Sequence, residues 1–304
     1  MRVDPYAAET DPAQRAGRLG VGIVSAGRVG SVLGAALRGA GHHVVGVHAV
    51  SADSLSRAET LLPDVPVLPV PEIMRRSELV LLAVPDDVLG EVISGLADAG
   101  HIRQGQLLMH TSGLHGTDIA APAQAAGAIA LAIHPAMTFT GLSMDLQRLP
   151  SCSFAVTAAT PVLPIAQALV VEMGGEPVVV AEEHRASYHA ALAHASNHLN
   201  TLTAQSAHIL SELGIEHPDR VLSALLHASL DNALASGEGA LSGPIARGDV
   251  ETVRHHLRAL GAAEVPSDIR PAYIAMARAT ALRALERGVL SADRAQDLFG
   301  ILQD

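Results

Sequence analysis

Val21-Gly-Ile-Val-Ser-Ala-Gly-Arg-Val-Gly30 is the stretch that decides how this chain is read. Leu19 to Val24 is a short apolar run, the pattern of a buried strand. Ser25, Ala26 and Gly27 then make a tight small-residue turn, and a helical pattern follows from Arg28 to Ala40. Gly27 lets backbone approach a diphosphate closely, while Gly30 and Gly34 leave bare positions on the helix face toward the sheet. Strand, turn and helix in this order bring free N–H groups and the positive end of a helix dipole to one point, where an anion binds. Ser25, Ala26, Gly27, Arg28, Val29 and Gly30 are therefore the expected cradle of a dinucleotide. One departure stands out: Ser25 occupies the place of the first glycine in G-x-G-x-x-G.

Outward from this turn, His43–Val50 reads as a second strand. Folds of this kind that prefer NAD carry a carboxylate at the end of that strand, for the ribose 2′-hydroxyl. Here the strand ends without one and is followed by Ser51, Ser54, Ser56 and Arg57, groups that suit a 2′-phosphate. NADP is thus the expected cofactor, with Ser51 and Arg57 beside its phosphate and Asp53 as the N-cap of a helix over 54–62. Further strands are expected over 65–70, 79–84, 106–110, 128–133, 153–157 and 176–180. Ligands of an open α/β sheet lie beyond the carboxyl ends of its strands. That places Val84-Pro85-Asp86, His110-Thr111-Ser112-Gly113 and His134-Pro135 around one crevice, with Val84, Pro85 and Thr111 expected to line the cofactor.

From Glu182 onward strand signals stop and Ala/Leu-rich helical patterns run to the end. The expected class is α/β: a doubly wound, mostly parallel Rossmann-like sheet followed by an all-α C-terminal domain. Residues 1–18 read as a loose polar tail and not a signal peptide, 19–181 as the dinucleotide-binding domain, and 182–304 as a helical substrate and dimerisation domain.

Composition narrows the function. A formal charge of −11 argues against a nucleic-acid partner, and no apolar run is long enough for a membrane span. A lone cysteine, Cys152, excludes disulfide frameworks and suits a reducing cytoplasm. All 20 basic residues are Arg, so lysine general acids and Schiff bases are closed to this chain.

In the helical part, His189, Ala193 and Asn197 recur at a spacing of four, on one stripe of a helix over 183–213. An alanine flanked by His and Asn leaves room for a small ligand, and His is readily tuned to give up a proton near neutral pH. With 16 histidines in the chain, the competing reading of His189 is a plain surface residue. His194 and His198 have helical metal-ligand spacing but no third ligand is suggested nearby, so no metal is expected. Further on, Gly243-Pro244 breaks a helix and Asp249 can cap the next one, over 250–260. Arg247 beside that break suits bidentate capture of a carboxylate, its alternative being a structural ion pair.

The fingerprint, Ala83-Val84-Pro85-Asp86, His110-Thr111-Ser112-Gly113, His134-Pro135, Ser196-Asn197, Ser242-Gly243-Pro244 and Arg247-Gly248-Asp249 together resemble a family assigned as oxidoreductases. Its members have a Rossmann-like domain followed by a helical domain of undefined function. The family is related to the 6-phosphogluconate dehydrogenase superfamily, with its 3-hydroxyisobutyrate dehydrogenases, pyrroline-5-carboxylate reductases and ketopantoate reductases. The resemblance covers about residues 19–300 and is not specific for a substrate. It implies an NADP-dependent reductase of a small oxo- or imino-acid. Because some members are associated with pantothenate synthesis, ketopantoate is the first candidate. Related branches place a catalytic lysine four residues before an asparagine on the first helix of the second domain. Here Ala193 precedes Asn197 and Ser196 precedes Asn200 at that spacing, so the lysine mechanism does not carry over.

The expected catalytic set is His189 or a water as proton donor, Ser112 and Asn197 to orient the carbonyl, and Arg247 for the carboxylate of a small-molecule substrate. A homodimer through the helical domain is expected. The rival reading, fed by Ser25 and the missing lysine, is an NADP-binding sensor or scaffold without turnover.

Overall fold

The computed structural model describes residues 18–262 and 265–303. The tail expected over 1–18 lies, apart from Arg18, outside the described residues. The chain divides into two compact units between Ala193 and His194.

In the first unit, strands β1 (Gly20–Val24), β2 (His43–His48), β3 (Leu79–Leu82), β4 (Leu107–His110), β5 (Ile129–Pro135), β6 (Ser153–Ala158) and β7 (Glu176–Val179) form one seven-stranded sheet in the order β2-β1-β3-β4-β5-β6-β7. β1 to β5 run parallel, β6 is antiparallel to β5, and β7 is parallel to β6. This is the doubly wound, mostly parallel sheet expected from the alternation of apolar runs and helical patterns. The strand order reverses direction between β1 and β3, the point at which the carboxyl ends of open α/β sheets take their ligands.

The continuous apolar strands are explained by cover on both faces. Val21, Ile23, Leu79, Leu81 and Met109 point to one side, packed under α1 (Arg28–Gly39), α2 (Ala52–Leu61) and a second helix pair member, Leu163–Glu172. Their neighbours Val24, Val80, Leu82 and Leu108 point to the other, under α3 (Val70–Arg76) and α4 (Asp86–Asp98). The two-residue period of a strand divides one apolar run between two cores.

Two local expectations are corrected. Residues 65–70 give only an isolated bridge, Val67 to Val47, before α3 begins at Val70. Pro66 and Pro69 have no N–H to give to a ladder, so pairing stops after one bridge. The N-cap of α2 is Ser51 and not Asp53: the Ser51 hydroxyl accepts from the Ser54 N–H at 3.1 Å, and Asp53 lies in the first turn.

After β7, a short 3-10 turn over Glu182–His184 leads into the long helix Arg185–Glu212. Its first turns, with Arg185, Tyr188 and His189, belong to the first unit. In the second unit, helices Pro218–Ser236, Pro244–Arg247, Val250–Ala259, Ile269–Glu286 and Ala292–Ile301 follow, which is the all-α C-terminal part. Its core comprises Val253, Leu257, Ile274, Ala277, Ala281 and Leu298 among others. Asp249 caps Val250–Ala259 as expected, accepting from Thr252 N–H at 3.1 Å.

Candidate active site at the strand ends

The turn after β1 is built for close backbone approach. Ser25 adopts φ +80°, the left-handed conformation that glycine takes without cost. The chain thus keeps the glycine geometry at this position although the residue is serine. The Ala26 N–H donates to the carbonyl of His48 at 2.9 Å, tying the turn to the end of β2. A side chain at Gly30 would collide with the Ser25 carbonyl oxygen. At Gly27, by contrast, a Cβ would meet its nearest neighbours at 3.5 and 4.0 Å, ordinary contact distances, so a side chain there fits without a collision. Gly27 is the N-cap of α1, with no side-chain cap and no acidic residue in the first helical turn. A 12-residue helix whose N-terminal N–H groups have no side-chain cap and no acidic neighbour in the first turn suits a diphosphate.

Beyond β2, the two arginines at this edge lie close together. The loop after β5 is folded by Asp145, which is fully buried and accepts from the N–H groups of Thr140 and Gly141, both at 2.8 Å. Gly141 in that loop sits against Arg57 and Arg28: a Cβ on it would stand 2.8 Å from Arg57 Cδ and 3.1 Å from Arg28 Cγ. Arg57 Nε is buried with no hydrogen-bond partner, alone in this respect among side-chain nitrogens and oxygens of the described residues. A buried donor without an acceptor is costly, and a phosphate oxygen would supply one. Ser51 is less available, since its hydroxyl is engaged with the backbone and side chain of Ser54.

The third group of strand ends carries the titratable residues. His110 ends β4 and is buried, with Nε2 at 2.8 Å from the Gly116 carbonyl and Nδ1 accepting from the Ser112 N–H at 3.3 Å. Both ring nitrogens are used to shape the loop 111–116, with the proton on Nε2. Burial, opposed by the Gly116 bond and reinforced by the charge of Arg185, lowers its pKa to about 4. Ser112, expected to orient a carbonyl, is itself buried, and its hydroxyl accepts from the His115 N–H at 3.0 Å. Its place is inside the loop. Thr111, Val84 and Pro85 lie at the strand ends, partly exposed for Thr111 and Val84, and Pro85 is the N-cap of α4.

His134, near the end of β5, has Nδ1 at 3.0 Å from the Tyr188 hydroxyl, and the two rings meet edge to face at 5.6 Å. His189 lies close to the same imidazole, ring centroids 6.3 Å apart. Burial first, then the charges of Arg185 and His189, lower the pKa of His134 to about 4, against a smaller upward pull from Asp86. The imidazole is neutral at neutral pH.

Arg185 holds this corner together. It is 1% exposed, and its guanidinium donates to Thr157 Oγ1 at 2.8 Å and to the carbonyls of Ala132 at 2.7 Å, Ser112 at 3.2 Å and Ala155 at 3.2 Å. One side chain thus ties β5, β6, the β4 loop and the start of the long helix, and all four acceptors are uncharged. From the sequence Tyr188 is one of the polar residues on the helix over 183–213, with no role of its own, and Arg185 carries no signal at all. An arginine in a first helical turn looks like a solvated residue, and only the convergence of four oxygens explains its burial.

In the second unit, Asn197 is exposed on the long helix. Arg247 ends the short helix Pro244–Arg247, exposed, with its carbonyl accepting from Arg294 at 2.9 Å. His194 and His198 bring their Nδ1 atoms within 2.8 Å of each other. Among the described residues no three His, Cys, Asp or Glu gather as a metal site requires, and no helix is long and apolar enough to cross a membrane.

Comparison with known proteins agrees with this architecture. Residues 6–135 match the Rossmann-like domain family, and residues 152–280 match a domain of unknown function, DUF2520. This chain joins a Rossmann-like domain to a DUF2520 domain. No curated protein matches it. Among solved structures, the pairing is similar to a protein from Bacteroides fragilis provisionally assigned as an NADP oxidoreductase, at 19% identity and TM-score 0.72, covering 87% of this chain and 98% of that one. Protein TM1727 from Thermotoga maritima is similar at 23% identity and TM-score 0.64, over 88% and 99% of the two chains. An imine reductase from Myxococcus stipitatus in complex with NADP+ is similar at 16% identity and TM-score 0.62, over 93% and 98%. At these identities the likeness shows the fold. The Tyr188 turn and Arg185 both fall within the stretch matched by DUF2520, so this domain supplies side chains to the strand ends as well as the helical unit.

Proposed function

We propose that this protein is an NADP-dependent reductase of a small oxo- or imino-acid. The observation that carries the reading is the buried, unpartnered Arg57 Nε at the same sheet edge as the uncapped N-terminus of α1. Together these two features suit a dinucleotide with an additional phosphate, and the structural neighbour that holds NADP+ supports the choice. Gly27, Arg28 and the first turn of α1 would take the diphosphate, and Arg57 with Arg28 the 2′-phosphate. The nicotinamide supplies hydride when bound. The residues beyond β4 and β5 would then form the reducing end of the site, where His134, Tyr188 and His189 provide proton-carrying groups.

Arg247 is proposed to hold the substrate carboxylate and Asn197 to orient the reacting group, because an acid substrate needs a cation and this chain has only arginine to offer. Ketopantoate remains the first candidate, with cyclic imino acids next. The exposed apolar side chains Val221, Leu225, Leu230 and Leu234 on Pro218–Ser236, which buries only Leu222, support a homodimer through the helical part. Sedimentation at micromolar concentration tests that assembly. Oxidation of NADPH with ketopantoate, other 2-oxo acids and cyclic imino acids tests the activity. Tight NADPH binding with no turnover on any of them would refute it.

A further inference from the structure

The reductase reading leaves open where the proton comes from, and the corner between β5 and the long helix supplies an answer. We infer that Tyr188 gives the proton to the reduced substrate and that His134 recharges it, a two-residue relay resting on the reductase reading above.

The geometry is specific. The Tyr188 hydroxyl and His134 Nδ1 are 3.0 Å apart, a hydrogen bond between residues 54 positions apart in sequence. Gly113 makes the approach possible, since a Cβ there would stand 2.9 Å from His134 Nε2 and 2.8 Å from His189 Cδ2. Arg185, one turn before Tyr188 on the same helix, is locked to four oxygens of the sheet and so fixes where Tyr188 points.

A proton donor must still hold its proton at the working pH. His134 is poor at this as a cation, because burial and the neighbouring Arg185 keep it neutral. Its one remaining N–H can still be passed on. A phenol is always protonated near neutrality, and burial pushes the pKa of Tyr188 upward while Arg185 opposes the rise. The charged and titratable groups that act on the pair are Arg185, His189, Asp86 and Cys152.

The step balances as follows. Neutral His134, with its proton on Nδ1, donates to the Tyr188 oxygen, which leaves the phenol O–H free to donate to the substrate. As hydride reaches carbon, the electron pair of the C=O or C=N bond moves to the oxygen or nitrogen and takes the phenol proton. The Nδ1 proton passes to the Tyr188 oxygen, and Nε2 takes one from water, leaving hydroxide that the solvent buffers. His134 ends as its other neutral tautomer, and one solvent proton has reached the product.

The test uses the whole protein, NADPH and the panel of 2-oxo acids and cyclic imino acids. Tyr188→Phe should lower kcat by roughly 100-fold or more with NADPH affinity unchanged. His134→Ala should lower kcat as well, and added imidazole should restore part of it, which a merely structural loss would not allow. In the unaltered protein the proton inventory in mixed H2O and D2O should be bowed, since two protons move together; this measurement needs no variant to fold. A fully active Tyr188→Phe, a linear inventory, or collapse confined to His189→Ala overturns the relay and leaves the reductase standing. Tight NADPH binding without turnover on any compound overturns both.

Discussion

The carbonyl oxygen of Ser25 fills the space that a side chain on Gly30 would need. The turn before α1 is thereby closed from both directions: Ser25 is held at φ +80°, and Gly30 must stay bare. Ser25→Gly should therefore stabilise the protein by about 1 kcal/mol, by relieving a left-handed serine, and should preserve NADPH binding. Gly30→Ala should destabilise it by roughly 1–3 kcal/mol, because backbone and not a flexible side chain must move. Urea denaturation of both variants checks the pair; a destabilised Ser25→Gly would mean that the serine side chain makes a contact worth more than the strain.

Gly27 behaves differently. Its backbone is extended, φ −69° and ψ −172°, a conformation valine accepts, and a Cβ there meets nothing closer than 3.5 Å. Gly27→Val should fold normally and lose NADPH binding, since its side chain would occupy the proposed diphosphate position. Fluorescence titration decides, and unchanged affinity in the folded variant would move the phosphates elsewhere.

Arg57 separates the two cofactors. If its unpartnered Nε meets the 2′-phosphate, Arg57→Ala should weaken NADPH roughly 10- to 100-fold, the worth of a charge-assisted hydrogen bond, and leave NADH nearly unchanged. Equal losses for both cofactors would point to a structural role for the arginine.

Arg247 should act on substrate affinity. Its side chain is exposed while its carbonyl is anchored by Arg294, so Arg247→Ala should leave the helical unit folded. The expected effect is a raised KM for the acid substrate with kcat little changed, as loss of uniform binding gives. A fall in kcat at constant KM would place Arg247 in the chemical step instead.

Acid should destabilise the fold through His110 and His134. Both have pKa values lowered from 6.5 to about 4, so between these pH values the unfolded chain binds protons that the folded one refuses. Stability is therefore full above pH 6.5 and falls as pH drops toward 4, by up to about 1.4 kcal/mol per pH unit for each fully titrating histidine. Denaturation midpoints at pH 7.5 and 5 measure this. His110→Asn should flatten the slope even if it lowers stability at pH 7.5, and an unchanged slope would show that His110 is not the source.

Local order was legible in the residues themselves. The apolar runs of β1, β3 and β4, the bare positions Gly30 and Gly34, and the Asp249 cap depend on periodicity and on contacts within one turn, which sequence spacing states directly. Residues 65–70 depart from the expected strand for an equally local reason: their β-branched character suggests a strand, but the prolines between them deny it donors. The site was legible only as a set of strand ends. That Arg185 is buried, that Tyr188 meets His134, and that the Gly141 loop closes on Arg28 and Arg57 depend on which oxygens and rings the sheet brings together from positions 28 or more residues apart. Sequence by itself determined a Rossmann-like sheet with a helical continuation and the position of its phosphate turn. Tertiary structure alone decided which charged and titratable groups share that crevice, because a buried arginine or a neutral histidine is defined by its surroundings and not by its own residue type.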